Sequence, residues 1–127
     1  MNKTIAVVGA SRDPGKISHQ AVIAFQQAGY DVFPINPQAD TIAGIKSYPS
    51  LLDLPVEVNE ISIYLPPALT KKFLLSLPDD KIEGVQTIYF NPGSFDEEVK
   101  AIAQDKGLPA VFACSLVAHN LPSPYKD

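Results

Sequence analysis

The feature that most constrains the fold lies within residues 1–16. The apolar run Ile5-Ala6-Val7-Val8 leads into a loop with glycine at each end, residues 9–16, and a helical pattern follows at once. A strand, a glycine-bounded loop and a helix N-terminus form the phosphate-binding first turn of doubly wound α/β proteins. Arg12, the only arginine of the chain, lies in that loop. The segment therefore indicates a phosphate-bearing ligand, with a nucleotide as the first expectation.

Five runs rich in β-forming residues alternate with helical patterns along the chain. Most runs are nearly continuous in apolar residues, which is typical of parallel strands covered on both faces. Strands alternating with helices predict an α/β fold, and right-handed crossovers make a doubly wound sheet the default. We expect a Rossmann-like, three-layer, doubly wound parallel five-stranded sheet in the order 3-2-1-4-5. The expected strands are residues 4–8, 31–35, 60–65, 85–90 and 110–114.

Three of the gaps between these strands show helical periodicity. The first helix is expected to end at Gly29, and the second to open at Pro67, where the missing N–H costs nothing. The third is expected to follow the capping-box pattern Ser94-Phe95-Asp96-Glu97 and to end at Gly107. The gap between the second and third strands predicts a single helical turn near residues 50–53.

Composition predicts one domain spanning residues 1–127 with a substantial core, because 46% of the residues are hydrophobic. The net charge of −4 disfavours nucleic acid, which normally selects a basic face. No run approaches the roughly 18 apolar residues of a membrane helix, and the N-terminus leads into a strand rather than a signal peptide. The single cysteine, Cys114, fits a reducing cytosol. We expect a cytoplasmic monomer or weak homodimer.

Loops built from Gly, Pro, Asn or Ser follow four of the five expected strands. The carboxyl edge of such a sheet binds ligands where the strand order reverses, here expected at the ends of the first and fourth strands. The loops do not match the dinucleotide fingerprint, because no glycine lies between Gly9 and Gly15 and because Asn36 stands where a ribose-binding acid is expected. A P-loop is also absent. The edge therefore predicts a phosphate site without indicating NAD or ATP in particular.

No catalytic or metal-binding set is apparent, so we name no catalytic and no metal-ligating residue. A base–nucleophile pair and paired carboxylates are missing from the crevice loops. The two histidines and Cys114 are not closely spaced. We therefore expect a ligand-binding domain more than an enzyme.

Four motifs in order carry a resemblance to a known family. The chain resembles the small stand-alone CoA-binding domain proteins, which are similar to the N-terminal domain of the succinyl-CoA synthetase alpha subunit. The resemblance extends from Lys3 to about His119. The motifs are Val8-Gly9-Ala10-Ser11, Val32-Phe33-Pro34-Ile35-Asn36-Pro37, Tyr48-Pro49-Ser50-Leu51 and Phe90-Asn91-Pro92-Gly93.

The resemblance implies a Rossmann-like fold that holds the ADP part of coenzyme A or an acyl-CoA. It places the phosphates at a loop and helix start, the adenine and ribose between two proline-containing loops, and the pantetheine arm near the switch point. The implied phosphate residues are Gly9, Ala10, Ser11, Arg12, Asp13, Lys16 and Ser18. The implied adenine and ribose residues are Asn36, Pro37, Leu65, Pro66 and Pro67, and those near the pantetheine arm are Phe90, Asn91 and Pro92.

The chain departs from relatives at two points. Many relatives carry an acid four residues after the cysteine of the last strand, whereas Ala118 occupies that position here. The synthetase has a lysine in the loop after the second strand, and this chain has Gln38-Ala39-Asp40 instead. Phosphate affinity would then rest on Arg12, Lys16 and the helix end.

Two other functions stay open from the residues themselves. An NAD(P)-binding enzyme or redox-sensing domain would need a ribose ligand other than Asn36. A protein-interaction module with a vestigial pocket would cover the Leu65-Pro66-Pro67 and Asn91-Pro92-Gly93 loops with a partner chain.

Overall fold

A five-stranded parallel sheet forms the centre of the computed structural model, which describes residues 2–122. Its interior strands are almost wholly buried, as strands covered on both faces must be. Single 3₁₀ turns lie at Leu51–Asp53, close to the expected turn, and at Asp79–Lys81. The other elements are β1 (Thr4–Val8), α1 (Ile17–Gln27), β2 (Asp31–Ile35), β3 (Thr41–Ile42), β4 (Ile45–Lys46), β5 (Glu60–Ile63), α2 (Pro67–Ser76), β6 (Thr87–Phe90), α3 (Glu97–Asp105), β7 (Ala110–Val111) and α4 (Ser115–Ala118).

The sheet order is β2-β1-β5-β6-β7, with all neighbours parallel. The Rossmann-like α/β class and the five-stranded parallel sheet are confirmed. The sheet also matches the 3-2-1-4-5 pattern when Tyr48 is counted as its third position, because Tyr48 forms an isolated parallel bridge with Ile35 on the outer side of β2. The strand we expected there, β5, pairs with β1 instead.

The inward position of β5 has a physical reason. All four of its residues are buried, which suits a central strand and not an edge. The order of the sheet consequently reverses between β1 and β5, so Leu65, rather than Asn91, lies opposite Gly9. The crevice, which we expected between the ends of the first and fourth expected strands, therefore lies one strand nearer, between the ends of β1 and β5.

Helices cover both faces of the sheet and create two cores. On one face Leu74 of α2 and Val99 of α3 pack against strand residues such as Ile61. On the other face Phe25 of α1 and Leu116 of α4 pack with strand residues of β1. The doubly wound, three-layer arrangement is thereby confirmed.

Some element bounds differ from the expectation. The fifth strand ends at Val111 and is followed by α4, which the sequence analysis did not predict. The β3–β4 hairpin was also not predicted; its turn places Ala43 at φ 53° and Gly44 at φ 78°. A non-glycine residue rarely adopts a positive φ, so the pair Ala43-Gly44 is only a weak sequence signal for a hairpin turn.

The third helix begins later than the capping box predicted. Asp96 is the N-cap, and its Oδ1 accepts the N–H of Val99 at 2.9 Å. Ser94, the expected cap, lies two residues earlier and is buried. Both residues fit a cap chemically, and the tertiary position of the loop decides between them.

Candidate functional site

The larger cavity at the carboxyl edge of the sheet has a volume of about 400 Å³. The ends of β1 and β2, the loop after β5 and the turn near residue 50 form its walls. Most of its lining is apolar, with a few amide and hydroxyl groups, which suits a planar ring with polar substituents. The lining residues are Val8, Gly9, Ala10, Ile35, Asn36, Pro37, Gln38, Pro49, Ser50, Leu51, Leu65 and Phe73.

Gly9 allows the first loop to approach the neighbouring strand end closely. Its φ is +85°, a conformation that L side chains rarely adopt. A Cβ at this position would lie 3.0 Å from Cδ2 of Leu65 and 3.1 Å from the backbone carbon of Tyr64. The cavity wall at this point therefore requires glycine for both conformation and space.

Asn36 connects the loops after β1 and β2. Its Nδ2 donates to the carbonyl oxygen of Ala10 at 2.9 Å, and its Oδ1 accepts the N–H of Gln38 at 2.7 Å. Both ends of the amide thus hold backbone in place. The residue lines the cavity as expected, and it also fixes the shape of the edge.

The loop between β1 and α1 is ordered by short-range hydrogen bonds. Ser11 Oγ accepts the N–H of Asp13 at 3.0 Å, and Asp13 Oδ1 accepts the N–H of Gly15 at 2.9 Å. His19 is buried, and its Nδ1 donates to the carbonyl oxygen of Ser11 at 2.8 Å. The sequence analysis did not foresee this bracing role for His19, because it depends on how α1 turns over the loop.

Arg12 is an exposed residue of this loop. Among residues 2–122 it forms no salt bridge, not even with the neighbouring Asp13. Asp13 instead uses its carboxylate within the loop. The guanidinium is therefore available to an anion that approaches the first turn.

A second cavity of about 280 Å³ lies between the start of α1 and the loop after β6. Leu65 belongs to the walls of both cavities and separates them. Burial raises the pKa of Tyr64, so this phenol stays neutral at the cavity wall. The lining residues are Lys16, Ile17, Ser18, Tyr64, Leu65, Pro66, Pro92, Gly93 and Ser94.

Asn91 joins the end of β6 to its neighbours. Its Nδ2 donates to Ser62 Oγ at 2.9 Å and to the carbonyl oxygen of Ile63 at 2.8 Å, while its Oδ1 accepts the N–H of Ser115 at 2.8 Å. The side chain is 1% exposed. Phe90 is fully buried and stacks on Phe112 with ring centroids 4.9 Å apart.

The expected site residues consequently divide into groups. Those that line a cavity are Gly9, Ala10, Lys16, Ser18, Asn36, Pro37, Leu65, Pro66 and Pro92. Those in the exposed loop or at its margin are Ser11, Arg12 and Asp13, and Pro67 opens α2 beside the edge. Phe90 and Asn91 are buried and line neither cavity, because their side chains are used in packing and in hydrogen bonds to the neighbouring strand and α4.

Sequence reasoning missed several lining residues. The omitted ones are Val8, Ile35, Gln38, Pro49, Ser50, Leu51 and Phe73 of the larger cavity and Ile17, Tyr64, Gly93 and Ser94 of the second. A signal existed for the turn residues, because Tyr48-Pro49-Ser50-Leu51 was one of the four motifs. Its place at the site follows from Tyr48 pairing with the end of β2.

Within residues 2–122, no helix is long and apolar enough to cross a membrane. In the same part of the chain, no group of three or more His, Cys, Asp or Glu side chains could hold a metal ion.

Comparison with known families identifies the class of protein. The CoA binding domain family matches residues 3–120. The chain therefore belongs to this family, as the motifs and their implied fold indicated.

Individual relatives include both ligases and a small protein. The chain is 35% identical over 98 residues to an ADP-forming acetate–CoA ligase II of Archaeoglobus fulgidus, covering 76% of this chain and 14% of the ligase. It is 28% identical over 120 residues to the uncharacterized protein YneT of Bacillus subtilis, covering 93% of this chain and 86% of YneT. The chain thus spans a small fraction of the ligase and most of YneT.

Solved structures agree with this assignment. A hypothetical protein from Pyrococcus horikoshii OT3 superposes with a TM-score of 0.81 at 30% identity, covering 94% of this chain and 82% of that one. A dinucleotide forming acetyl-coenzyme A synthetase 1 of Ca. Korarchaeum cryptofilum, in complex with phosphate and ADP, superposes with a TM-score of 0.69 at 30% identity. That match covers 87% of this chain and 25% of the synthetase.

Proposed function

We propose that this protein binds coenzyme A or an acyl-CoA, with the adenine and ribose in the larger cavity. The observation that carries the proposal is the coincidence of two findings. Residues 3–120 match the CoA binding domain family, and the described edge presents a mostly apolar cavity beside a glycine-bounded loop. The prolines of the cavity offer stiff apolar surface to a ring at little entropic cost.

The diphosphate is assigned to the loop of residues 9–13 and the start of α1. The first-turn N–H groups of a helix have no intrahelical partner and carry the positive end of its dipole. Arg12 and Lys16 supply the nearby positive charges. Phosphate oxygens would therefore meet both fixed N–H donors and mobile cations.

The proposed role is binding without chemistry of its own. Neither cavity lining, within the described residues, contains a histidine, a cysteine or a carboxylate. Lys16, Tyr64 and the serines of the linings would need such a group beside them, or one from another protein, to be activated for acid–base or nucleophilic catalysis. A domain of this kind can present a CoA thioester to a partner.

Isothermal titration with CoA, acetyl-CoA, NAD and ATP tests the proposal. We expect one of the two CoA species to bind more tightly than NAD and ATP. Absence of binding by both CoA species at millimolar concentration would remove the proposal. Tighter binding of NAD would favour the alternative of an NAD(P)-linked domain.

A further inference from the structure

A third cavity, of about 170 Å³, lies between the segment of residues 51–58 and the 3₁₀ turn at Asp79–Lys81. Its wall at Val58 is two residues before β5, near the amino end of that strand, whereas the proposed CoA site lies at the carboxyl edge. Leu51 is shared with the larger cavity, and no lining residue is shared with the second cavity. The third cavity therefore contains no residue of the proposed diphosphate site.

The floor of the third cavity is apolar. Leu51 and Val58 are 6% and 4% exposed and belong to the core beneath α2 and α3, and Leu54 packs against the same core. Val56 lies beside them with 47% of its surface exposed. A ligand with an aliphatic side chain would remove this apolar surface from water, which favours binding.

Two exposed side chains of opposite charge, Glu57 and Lys81, complete the lining. A Cβ at Gly84 would lie 3.1 Å from Oε2 of Glu57, so this carboxylate reaches the segment that carries Lys81. Within residues 2–122 neither Glu57 nor Lys81 takes part in a salt bridge, although Lys71 and Lys100 do. One apolar cavity thus offers both an acceptor and a donor of charge-assisted hydrogen bonds.

The ligand that complements this lining carries both charges on one small apolar molecule. Its ammonium group would donate to Glu57, its carboxylate would accept from Lys81, and its aliphatic side chain would cover the apolar floor. An anion alone would be repelled by Glu57, and a cation alone would be repelled by Lys81. A volume of about 170 Å³ corresponds to roughly six water-sized groups, which admits a short branched chain and excludes a nucleotide.

We infer that the third cavity binds a small zwitterion with an apolar side chain, of the class of the aliphatic α-amino acids. Glu57 orients the amino end of this ligand, and Lys81 orients its carboxylate. The site does not depend on CoA binding, because it shares Leu51 alone with the larger cavity.

Leucine and three related compounds test this site by NMR titration of the ¹⁵N-labelled protein. Isocaproate lacks the amino group of leucine, isoamylamine lacks the carboxylate, and glycine lacks the side chain. We expect leucine to bind with a Kd of about 1 mM, a usual affinity for so small a ligand, and to shift the resonances of residues 51–58 and 79–84. Isocaproate and isoamylamine should each bind about tenfold more weakly, the scale of a lost charge-assisted hydrogen bond. Glycine should also bind more weakly than leucine, because it covers no apolar surface.

Two conservative variants assign the charges separately. Lys81→Met should remove the preference for leucine over isoamylamine, and Glu57→Gln should remove the preference for leucine over isocaproate. The matched controls are Lys72→Met and Glu83→Gln, at exposed residues of the same types that line none of the three cavities. Both preferences should stay within about twofold in the controls, because exposed charges that do not contact the ligand contribute little.

An absence of shifts with leucine at about 10 mM, ten times the expected Kd, would overturn the inference. Equal affinities of leucine, isocaproate and isoamylamine would also overturn it, because they would show an apolar groove without charge recognition. Displacement of leucine by CoA, with shifts confined to residues 8–10 and 35–38, would place leucine in the larger cavity and have the same result. Leucine binding that responds to both variants in a protein that binds no CoA would uphold this site and refute the proposed function alone.

Discussion

Two polar regions of this molecule differ in how completely their groups are paired. The first, the closed cluster, consists of Tyr30, Glu60, Tyr89 and His119. Glu60 is 4% exposed, yet its carboxylate accepts a hydrogen bond from Tyr30 at 2.7 Å and contacts His119 Nε2 at 2.7 Å. Burial, followed by the hydrogen bond to Glu60, raises the pKa of Tyr30 far above its usual range.

The second region, the open edge, consists of the residue 9–16 loop, the start of α1 and Ser94. Arg12 is exposed without a salt bridge among the described residues, and the hydroxyl of Ser94 has no partner there. The closed cluster spans 59 residues of sequence between Glu60 and His119 and ties α4 to the sheet. The contrast teaches that the buried, paired groups of the closed cluster hold the fold, whereas the open edge leaves an exposed charge, Arg12, that a ligand can meet.

The largest expected effect comes from breaking the closed cluster. His119→Ala leaves the buried carboxylate of Glu60 without its nitrogen partner, and we expect a loss of about 2–4 kcal/mol in the free energy of unfolding. CoA affinity should not change, because His119 lines neither cavity. Urea unfolding and calorimetry measure the two quantities, and His119→Gln, which keeps a donor, should recover part of the stability. A variant that loses CoA affinity while staying fully stable would reverse the assignment of the cluster.

The next effect concerns the open edge, at Gly9, where the first loop approaches Leu65. Gly9→Ala places a Cβ against Leu65 and Tyr64, so we expect CoA binding to fall by tenfold or more, a cost of about 1.4 kcal/mol or more. The matched control is Gly29→Ala, because Gly29 has a similar φ of +94° with nothing within 4 Å of the added carbon. Both variants carry the conformational strain, so calorimetry on the pair separates strain from obstruction. Equal binding by the two variants would show that the approach of the loop to Leu65 does not matter.

An effect of comparable size is expected from Arg12, also at the open edge. Arg12→Ala should weaken CoA binding by about 1–3 kcal/mol, as for a charge-assisted contact, and should reduce its salt dependence. Lys81→Ala removes an equally exposed charge that lines neither described cavity of the edge, and it should change affinity little. Titrations at two ionic strengths make the comparison. An unchanged Kd for Arg12→Ala would remove Arg12 from the site.

The smallest effect is a pH dependence away from both regions, at the cap of α3. The hydrogen bond from the N–H of Val99, and then Lys71, lower the pKa of Asp96 below its usual value. A carboxyl whose pKa is lower in the folded state stabilises the fold above its unfolded pKa of about 4 and loses that contribution as pH falls through the folded value. Asp96→Ala should therefore be less stable than the wild type at pH 7, with the difference shrinking below about pH 4. Thermal melts from pH 2.5 to 7 measure this, and Asp105→Ala at the other end of the helix should show no such convergence.

The sequence predicted local features well and long-range ones poorly. The bounds of β1 and β2 agree with their apolar runs, and Gly9 lines the cavity as its place in the loop suggested. The insertion of β5 beside β1 could not be read from its own residues, because a buried apolar run fits any central position. The pairing of Glu60 with His119 was equally hidden, since nothing local marks a carboxylate for burial.

Ser94 is a second residue whose long-range position could not be predicted from local sequence. Its residue type in a capping-box pattern predicted a helix cap, which is a local role. Its actual place depends on how the loop after β6 packs near the start of α1, some 80 residues earlier in the chain. A site made of segments so distant in sequence becomes visible once the sheet order is known.

The neutral side chain of Asn36 affects which kind of ribose the larger cavity can accept. Its amide is neutral and bonds to backbone through both its nitrogen and its oxygen, and none of the residues lining the larger cavity is acidic. An acid at this position would hold the two hydroxyls of an unmodified ribose and repel a ribose that carries an additional phosphate. With an amide in its place, the cavity presents no negative charge to such a sugar. A phosphorylated ribose can therefore enter where an acidic residue would turn it away.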